Sequence, residues 1–454
     1  MRKTFYSIVT FIALATSASA VESGKWKVEG SFEPQVRRQL SIFNFQLSTS
    51  PYATGNWFGL RTTLAEEYGL SFYGKYGGAF FGVVDSENGG HGFWGQALNF
   101  GASLNFGKLL DEDALEGITL FGHFRWRDHR PNADPAPWVE TSLLFMPSPW
   151  TTGTKFRVLS FGLEVSSAGF LPVKDMLVLR AGWIQPQAEF LIQPYSTHFL
   201  MASIASAKGI GGNIPFSSNG STWGGTLRAK PVEWAYVKGG LFMSFPKMSD
   251  WRNHGLAYRG YGPDTSKNGL WAMGEIGITP AICDLPGKYA IGGYYFGSEH
   301  TTYIHKAARD MQYGFYFQAD QKLWQPTPAA ETPEGKSAKG LSLFNVFSLA
   351  PAENHLYPFC FHTGFCYEGL FPKRDADLLL FAVSYGSYSY DKLREDRMAG
   401  RREATYTIGM EASYKANINK WLHIQPFVQY IIRPDGTDHV KNAAILGFQT
   451  GVSF

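Results

Sequence analysis

Polar and apolar residues alternate along most of the chain from about residue 70 to residue 454. Residues 120–129 show the pattern well. The odd-numbered positions include the polar residues His123, Arg125, Arg127 and His129. The even-numbered positions include the apolar residues Leu120, Phe124 and Trp126. A period of two residues indicates a β-strand with one wet face and one apolar face. Runs of about ten such residues, separated by Gly, Pro, Asn or Asp clusters, predict an all-β protein with many amphipathic strands.

The other predicted strands share this length and alternation. They are residues 70–84, 95–107, 155–166, 176–185, 222–230, 233–243, 270–279, 288–297, 312–323, 340–349, 376–390, 404–414, 422–432 and 444–454. Residues 56–68 depart from the period, because their apolar residues recur at helical spacing and predict one short amphipathic helix. Residues 325–340 carry no apolar pattern and predict a solvated loop.

Two all-β architectures can hold so many amphipathic strands. In a soluble sandwich or propeller the apolar faces point inward. In a transmembrane antiparallel β-barrel they face lipid, and the polar faces line the lumen. Aromatic residues near strand ends favour the barrel, where they form interfacial girdles, although aromatics also favour strands in general. The residues are Trp183, Trp234, Tyr236, Trp271, Tyr294, Tyr295, Trp324, Trp421 and Tyr430. A last strand that reaches Phe454 also suits a barrel, whose last strand pairs with its first.

Composition and the first residues place the chain outside the cytoplasm. With 44% hydrophobic, 16% aromatic and 17% charged residues, it can bury a substantial core. Residues 1–20 combine Arg2 and Lys3, an apolar run and a small-residue end, as in a secretory signal peptide. Later apolar runs fall far short of the roughly twenty residues of a membrane helix. Removing Arg2 and Lys3 takes the formal net charge from +3 to +1, which gives no reason to expect a nucleic-acid partner.

The predicted organisation has three parts. They are a signal peptide at 1–20, a periplasmic or plug segment with a short helix at 21–69, and a barrel at 70–454.

Residues that could carry chemistry are sparse. Three cysteines exclude a disulfide scaffold and a multi-thiolate metal site, although Cys360 and Cys366 are close enough in sequence to bridge a loop. His123 and His129 would lie about 20 Å apart on a strand, too far to share a metal ion. Nucleophile-elbow, nucleotide-binding and paired-carboxylate patterns do not stand out. We therefore expect no enzyme activity, no metal and no cofactor.

Several stretches resemble the carbohydrate-selective porin (OprB) family of Gram-negative outer membranes. Residues 54–64 resemble its N-terminal Gly-Asp-Trp-Gly-Gly-x-Arg-x-x-Leu element. Residues 179–182 with 189–191, 285–289, 319–324 and 425–447 are similar to further motifs, in the same order. Three departures stand out. Asn56 replaces the acidic residue, Phe58 replaces a glycine, and Ser160 stands where the family has its first glutamate, whereas Glu164 matches the second.

The resemblance implies a sixteen-stranded barrel that admits monosaccharides and short sugars by passive diffusion through an arginine-rich constriction flanked by aromatics. Arginine and carboxylate groups can replace the hydration hydrogen bonds of a sugar, and rings can contact its C–H faces. The inward parities supply Arg125, Arg127, Glu164, Arg180, Arg228, Glu275, Asp320 and Glu411, and Glu189 follows on a loop that could fold inward.

Arg180 is the strongest of these candidates, because Leu179, Ala181 and Trp183 would face outward. Trp183 is accordingly predicted to be a girdle residue. The same polar residues could instead brace the wall of a water-filled barrel. A general diffusion porin, an outer-membrane barrel enzyme and a secreted sugar-binding β-protein remain alternatives. The expected partners are small sugars and outer-membrane lipid, and the possibility of a homo-oligomer stays open.

Overall fold

A computed structural model describes residues 50–129, 136–141, 145–147, 155–168, 175–191, 193–205, 220–244, 269–297, 300–309, 311–326 and 339–454. The predicted signal peptide, residues 21–49 of the predicted N-terminal segment and residues 327–338 of the predicted loop lie outside these described residues.

Sixteen long strands within the described ranges form one antiparallel sheet. They are β1 (Leu70–Asp85), β2 (His91–Asn105), β3 (Ile118–His129), β4 (Phe156–Ser166), β5 (Leu177–Ile184), β6 (Thr222–Val232), β7 (Ala235–Ser244), β8 (Gly269–Ile278), β9 (Leu285–Phe296), β10 (Gln312–Trp324), β11 (Gly340–Leu349), β12 (Phe359–Glu368), β13 (Leu378–Ser387), β14 (Tyr406–Asn417), β15 (Leu422–Ile432) and β16 (Ala443–Ser453). The two-residue strand Ala281–Ile282 pairs with the start of β9, and His300–Thr301 pairs with Ala308–Arg309 in a small separate hairpin.

The sheet closes on itself. Each strand pairs with its neighbours in the chain, and β1 pairs with both β2 and β16, from Lys75 opposite Ser453 to Asp85 opposite Ala444. Closure leaves the sheet without a free edge. The predicted barrel and its sixteen strands are therefore confirmed, and β12 is a strand that the sequence pattern did not predict.

The helices are short; the first precedes β1, and the others lie in connections between strands. They are α1 (Leu60–Glu66), α2 (Phe106–Leu110), α3 (Ala136–Val139), α4 (Pro186–Phe190), α5 (Ala202–Ala205) and α6 (Tyr390–Met398), with 3-10 turns at Trp57–Gly59, Asp113–Leu115 and Ser196–His198. The predicted helix at 56–68 is divided, because positive φ angles at Phe58 and Gly59 separate its first turn from α1. In the described part of the chain, every helix is too short or too polar to cross a membrane.

Large apolar side chains cover the outside of the barrel. On β8, Leu270 and Ile276 are exposed, whereas Trp271 and Glu275 between them are buried. The same alternation exposes further residues on neighbouring strands, among them Leu241, Ile291 and Phe315. An apolar belt of this extent is unstable in water and is the surface that a membrane barrel presents to lipid.

The two ends of the barrel differ in the length of their connections. At one end long connections join β3 to β4, β5 to β6 and β7 to β8, over residues 130–155, 185–221 and 245–268. At the other end residues 233–234 join β6 to β7, and residues 418–421 join β14 to β15. Outer-membrane barrels have long extracellular loops and short periplasmic turns, so the first end faces the outside of the cell.

Candidate functional site in the barrel lumen

Part of the β5–β6 connection folds into the barrel. We call residues 186–191 and 193–205 the inward segment; it contains α4, the turn at Ser196–His198 and α5. At its far end, the backbone N–H groups of Leu200 and Met201 donate to the Glu411 carboxylate at 2.6–3.1 Å. Glu411 lies on β14, on the opposite side of the barrel from β5. The inward segment therefore crosses the lumen.

Polar side chains of the wall hold the middle of the inward segment. Gln318 donates to the Phe190 carbonyl oxygen at 3.0 Å, and Gln425 donates to the His198 carbonyl oxygen at 2.9 Å. The Gln193 amide donates to the Asp320 carboxylate and to the Asn345 carbonyl oxygen, both at 3.3 Å. Buried backbone groups of an irregular segment need such partners, because water does not reach them.

A second connection narrows the lumen next to the inward segment. Residues 145–147, between β3 and β4, include the fully buried Phe145. The Met146 carbonyl oxygen accepts the N–H of Ala202 at 2.9 Å, and the Pro147 carbonyl oxygen accepts from Gln429 at 3.0 Å. Two loops from the extracellular end therefore meet inside the barrel.

Three of the predicted site residues meet at the near end of the inward segment. The Arg180 Nη1 atom lies 2.7 Å from Glu189 Oε1, and its Nε atom lies 3.4 Å from Glu164 Oε2. Arg180 and Glu164 are also direct partners in the register of β4 and β5. The Arg180 guanidinium lies 4.2 Å from the centre of the Phe121 ring. The cluster thus joins a cation, two carboxylates and an aromatic face.

Lys238 belongs to the same cluster, although the sequence reasoning missed it. Its ammonium group donates to the Glu189 carbonyl oxygen and lies 4.7 Å from the centre of the Phe190 ring. The sequence could have indicated it, because Lys238 stands on the same inward-facing set of alternate positions of β7 as Tyr236 and Phe242. Arg228 is the register partner of Lys238 on β6, so this predicted residue lies beside the cluster.

The other predicted arginines form a separate group farther along β3. Arg125 and Arg127 are the second and third inward positions after Phe121, and Arg125 pairs in register with Arg157 on β4. The Arg125 Nε atom donates to Asn99 Oδ1 at 2.5 Å. Arg127 and Arg157 are only 3% and 7% exposed. This part of the wall is strongly cationic.

Asp320 lies on an inward position of the wall, next to the inward segment. It lies on β10 and contacts Gln193 of the inward segment, and its register partner on β9 is Lys288. Glu275 is a wall residue, because its carboxylate accepts the hydroxyl groups of Tyr236 at 2.7 Å and Tyr316 at 2.9 Å.

Several aromatics expected in the outer girdle are buried instead. Trp271, Tyr236 and Tyr294 occupy inward positions of β8, β7 and β9, and Phe190 of the inward segment packs on the neighbouring Phe242 at 6.3 Å between ring centres. The prediction was wrong here because all three rings point inward; Trp271 and Tyr294 also join Phe190 of the inward segment in an apolar core inside the barrel.

The prediction of a girdle residue is also wrong for Trp183. It is completely buried, packs edge-to-face on Trp223 and donates its ring N–H to the Val158 carbonyl oxygen at 3.3 Å. Gly182 before it has φ +143° and lies against the backbone of β4. The regular alternation of inward and outward side chains on β5 therefore ends at Gly182. Trp234, Tyr295, Trp324 and Tyr430 do remain exposed.

The suggested Cys360–Cys366 bridge is also wrong. Both residues are buried free thiols on inward positions of β12. Six residues of extended strand span about 20 Å, beyond the reach of a disulfide. Cys283 is free and exposed. Within the described ranges, no group of three or more His, Cys, Asp or Glu residues is placed to hold a metal ion.

A closed barrel with an apolar belt, long loops at one end and two loops folded into a polar lumen defines the porin class of outer-membrane protein. Residues 60–454 match the family described as the carbohydrate-selective porin, OprB family, and the chain belongs to that family. It is accordingly a protein of the Gram-negative outer membrane.

Individual relatives are distant in sequence. The chain is 21% identical to Porin B of Pseudomonas aeruginosa over 199 residues, which cover 37% of this chain and 42% of that protein. The high-pH structure of Pseudomonas putida OprB is 20% identical and matches with a TM-score of 0.78, covering 90% of this chain and 99% of that one. The low-pH structure of the same protein gives 17% identity and a TM-score of 0.56 at the same coverage.

Proposed function

We propose that this chain is a porin for the passive, selective diffusion of monosaccharides and short sugars across the outer membrane. The cluster of Arg180, Glu164, Glu189 and Phe121 is the observation that carries the proposal. A sugar presents hydroxyl groups that donate and accept hydrogen bonds, and C–H faces that pack on rings. The cluster offers a donor fork, two acceptors and a ring within one small region of the lumen.

Access and weak binding are both compatible with this role. The side chain of Arg180 is 25% exposed and that of Glu164 is 41% exposed, so a solute in the lumen can reach both groups. Each charged group already has a partner in the protein, which limits how strongly it can hold a solute. Conduction needs such weak binding, because the solute must leave the site again.

The other predicted site residues take supporting roles in the proposal. Arg125, Arg127 and Arg228 extend the cationic wall on either side of Arg180, and Asp320 holds the inward segment through Gln193. We also propose that residues 1–20 are a cleaved signal peptide and that residues 21–69 form a periplasmic or plug segment. The protein acts as a channel, without an enzymatic step.

Liposome swelling tests the proposal. Liposomes that contain the protein should swell in glucose faster than protein-free liposomes. Arg180→Ala should change glucose entry by about threefold or more, because it removes a charge-assisted hydrogen bond worth about 1.5–3 kcal/mol when fully desolvated and less in a wet lumen. Arg397→Ala is the matched control, because Arg397 is an exposed residue of α6 that pairs with Glu403 and takes no part in the Arg180 cluster.

Equal swelling with and without protein would discard the channel. Unchanged preference among sugars in Arg180→Ala would discard the role of Arg180. Entry rates that follow solute size alone, with no preference between sugars and other solutes of equal size, would identify a general diffusion porin.

A further inference from the structure

Glu411 is a completely buried carboxylate whose described partners come mainly from the inward segment. Its Oε2 atom accepts the N–H of Met201 at 2.6 Å and that of Leu200 at 3.1 Å, and its Oε1 atom accepts the N–H of Leu200 at 3.0 Å. Gln429 on β15 donates to Oε2 at 2.9 Å. Burying a carboxylate is costly unless hydrogen bonds replace its hydration. Here most of that replacement depends on the position of residues 200 and 201.

The wall around Glu411 is shaped for close contact with the same residues. Gly409 lies two positions before Glu411 on the inward face of β14, and a Cβ atom there would lie 2.4 Å from the Met201 sulfur. Gln425 on β15 holds the His198 carbonyl oxygen a few residues earlier. The far end of the inward segment therefore sits directly on β14 and β15, without an intervening side chain at Gly409.

The two ends of the inward segment are held by different groups. Glu189 at the near end binds Arg180 and Lys238, and both of its partners belong to the cluster proposed to contact sugar. Glu411 at the far end holds backbone N–H groups and takes no part in that cluster. A change at Glu411 can therefore move the segment while the chemistry near Arg180 is retained.

We propose that Glu411 is a positioning residue that sets the free width of the constriction and, with it, the largest sugar that passes. The inference rests on the proposed function, because it treats the inward segment as the part of the lumen that limits solute size. Without the carboxylate, the N–H groups of Leu200 and Met201 lose their acceptor in a dry contact. Separation of the segment from β14 then restores their hydration and widens the lumen.

The experiment compares sugars of increasing size in proteoliposomes. Wild type, Glu411→Ala and Glu411→Gln are assayed with glucose, maltose and maltotriose, and single-channel conductance is recorded in parallel. Glu411→Ala should raise the ratio of maltotriose to glucose entry by about fivefold or more, because the segment loses its hydrogen bonds to β14 and a wider lumen favours the larger sugar. Glu411→Gln should lie between, because its amide keeps one acceptor oxygen.

Glu275→Gln is the matched control. Glu275 is another buried carboxylate of the wall, but its described partners are the hydroxyl groups of Tyr236 and Tyr316 on the strands. Its replacement should leave the ratio of maltotriose to glucose unchanged. If the loss of any wall contact widened the lumen, the ratio of maltotriose to glucose entry would rise equally in Glu275→Gln and Glu411→Gln. That result would overturn the assignment to Glu411.

Folding is checked by the heat-modifiable gel mobility of the closed barrel. If Glu411→Ala fails this check, Glu411→Gln carries the test, together with amide hydrogen exchange at Leu200 and Met201. Those two amides should exchange about tenfold faster in Glu411→Gln than in wild type, as expected for about 1.4 kcal/mol of lost protection. Unchanged exchange and an unchanged size ratio in a folded variant would overturn the inference. Failure of wild type to admit glucose would reject the proposed function, whereas the conductance and exchange arms would still decide the positioning role of Glu411.

Discussion

Phe58 adopts a backbone conformation that favours glycine. Its φ and ψ angles are 59° and 31°, and its side chain is 96% exposed. A left-handed conformation costs an L-residue about 1–2 kcal/mol, because Cβ approaches the following carbonyl oxygen. In the family element that residues 54–64 resemble, a glycine stands at this place. Phe58 therefore carries backbone strain without a compensating buried ring.

Phe58→Gly should raise the free energy of unfolding. The relief of strain exceeds the larger entropy of glycine in the unfolded chain, and we expect a gain of about 0.5–1 kcal/mol. The measurement is urea unfolding of the barrel in liposomes. Leu60→Gly is the control, because Leu60 is also exposed but has φ −55°, so it should lose about 0.5–1 kcal/mol. A loss of stability in both variants would mean that the Phe58 ring has a partner in the membrane or the protein.

The β11–β12 connection depends on a buried histidine. His355 is almost fully buried, and its Nδ1 atom lies 2.9 Å from the Pro351 carbonyl oxygen. Burial lowers the pKa of His355 to about 4; the Pro351 hydrogen bond opposes this shift, and the nearby His300 adds to it. The closed loop therefore holds His355 in its neutral form at neutral pH.

Acid should open this loop before it unfolds the barrel. An opened loop binds a proton at the ordinary histidine pKa of about 6.5, whereas the closed loop binds it only near 4. The loop therefore keeps its full stability above pH 6.5 and loses it progressively as the pH falls towards 4. Amide exchange of residues 350–358, corrected for intrinsic rates, should rise between pH 7.5 and pH 5. The rise should vanish in His355→Phe, and an equal rise in that variant would contradict the role of His355.

The strands were predictable because their alternation is local. Each barrel strand presents one face to lipid and one to the lumen, so a period of two appears in the sequence wherever the lumen face is polar. The strand β12 was missed because Cys360 and Cys366 stand on its inward face, on either side of the outward-facing Phe361 and Phe365. The alternation of polar and apolar residues is therefore weak, and the two cysteines suggested a bridged loop instead.

The candidate site was predictable only in part. Arg180, Glu164 and Glu189 lie within one strand pair and the loop that follows, so sequence proximity carried the prediction. The far end of the inward segment was out of reach, because Met201 meets Glu411 across 210 residues of sequence. Local periodicity has no information about such a contact. The inward aromatics were misplaced for the same reason, because the segment that covers them is distant in sequence from β8 and β9.

One arginine contacts both strands at the seam where the barrel closes. Arg61 of α1 is buried, and its Nη2 atom donates to the main-chain oxygen of Phe72 at 2.5 Å and to that of Phe454 at 3.1 Å. Its guanidinium also lies 3.4 Å from the centre of the Tyr52 ring. Phe72 belongs to β1, and Phe454 directly follows β16. One side chain thus ties the N-terminal segment to both strands of the seam.

Arg61→Ala should weaken the whole barrel, because β1 and β16 form the contact that completes the ring. Hydrogen bonds from a charged donor contribute about 1.5–3 kcal/mol, so we expect a loss of about 2–3 kcal/mol in the free energy of unfolding. Arg61→Lys should recover only part of it, since an ammonium group lacks the planar guanidinium that contacts two main-chain oxygens and a ring together. Urea unfolding in liposomes measures both variants.

Lys108→Ala is the control that removes a contact of α1 outside the seam. Lys108 of α2 donates to the carbonyl oxygen of Ala65 in α1 at 3.2 Å. This contact is exposed and does not touch β16. Its loss should change the free energy of unfolding by about 0.5 kcal/mol or less. Barrels of Arg61→Ala that do fold should keep the preference among sugars that we propose for the wild type, because Arg61 lies at the periplasmic end, away from the inward segment. A barrel equally stable with and without the Arg61 guanidinium would show that strand pairing alone closes the ring.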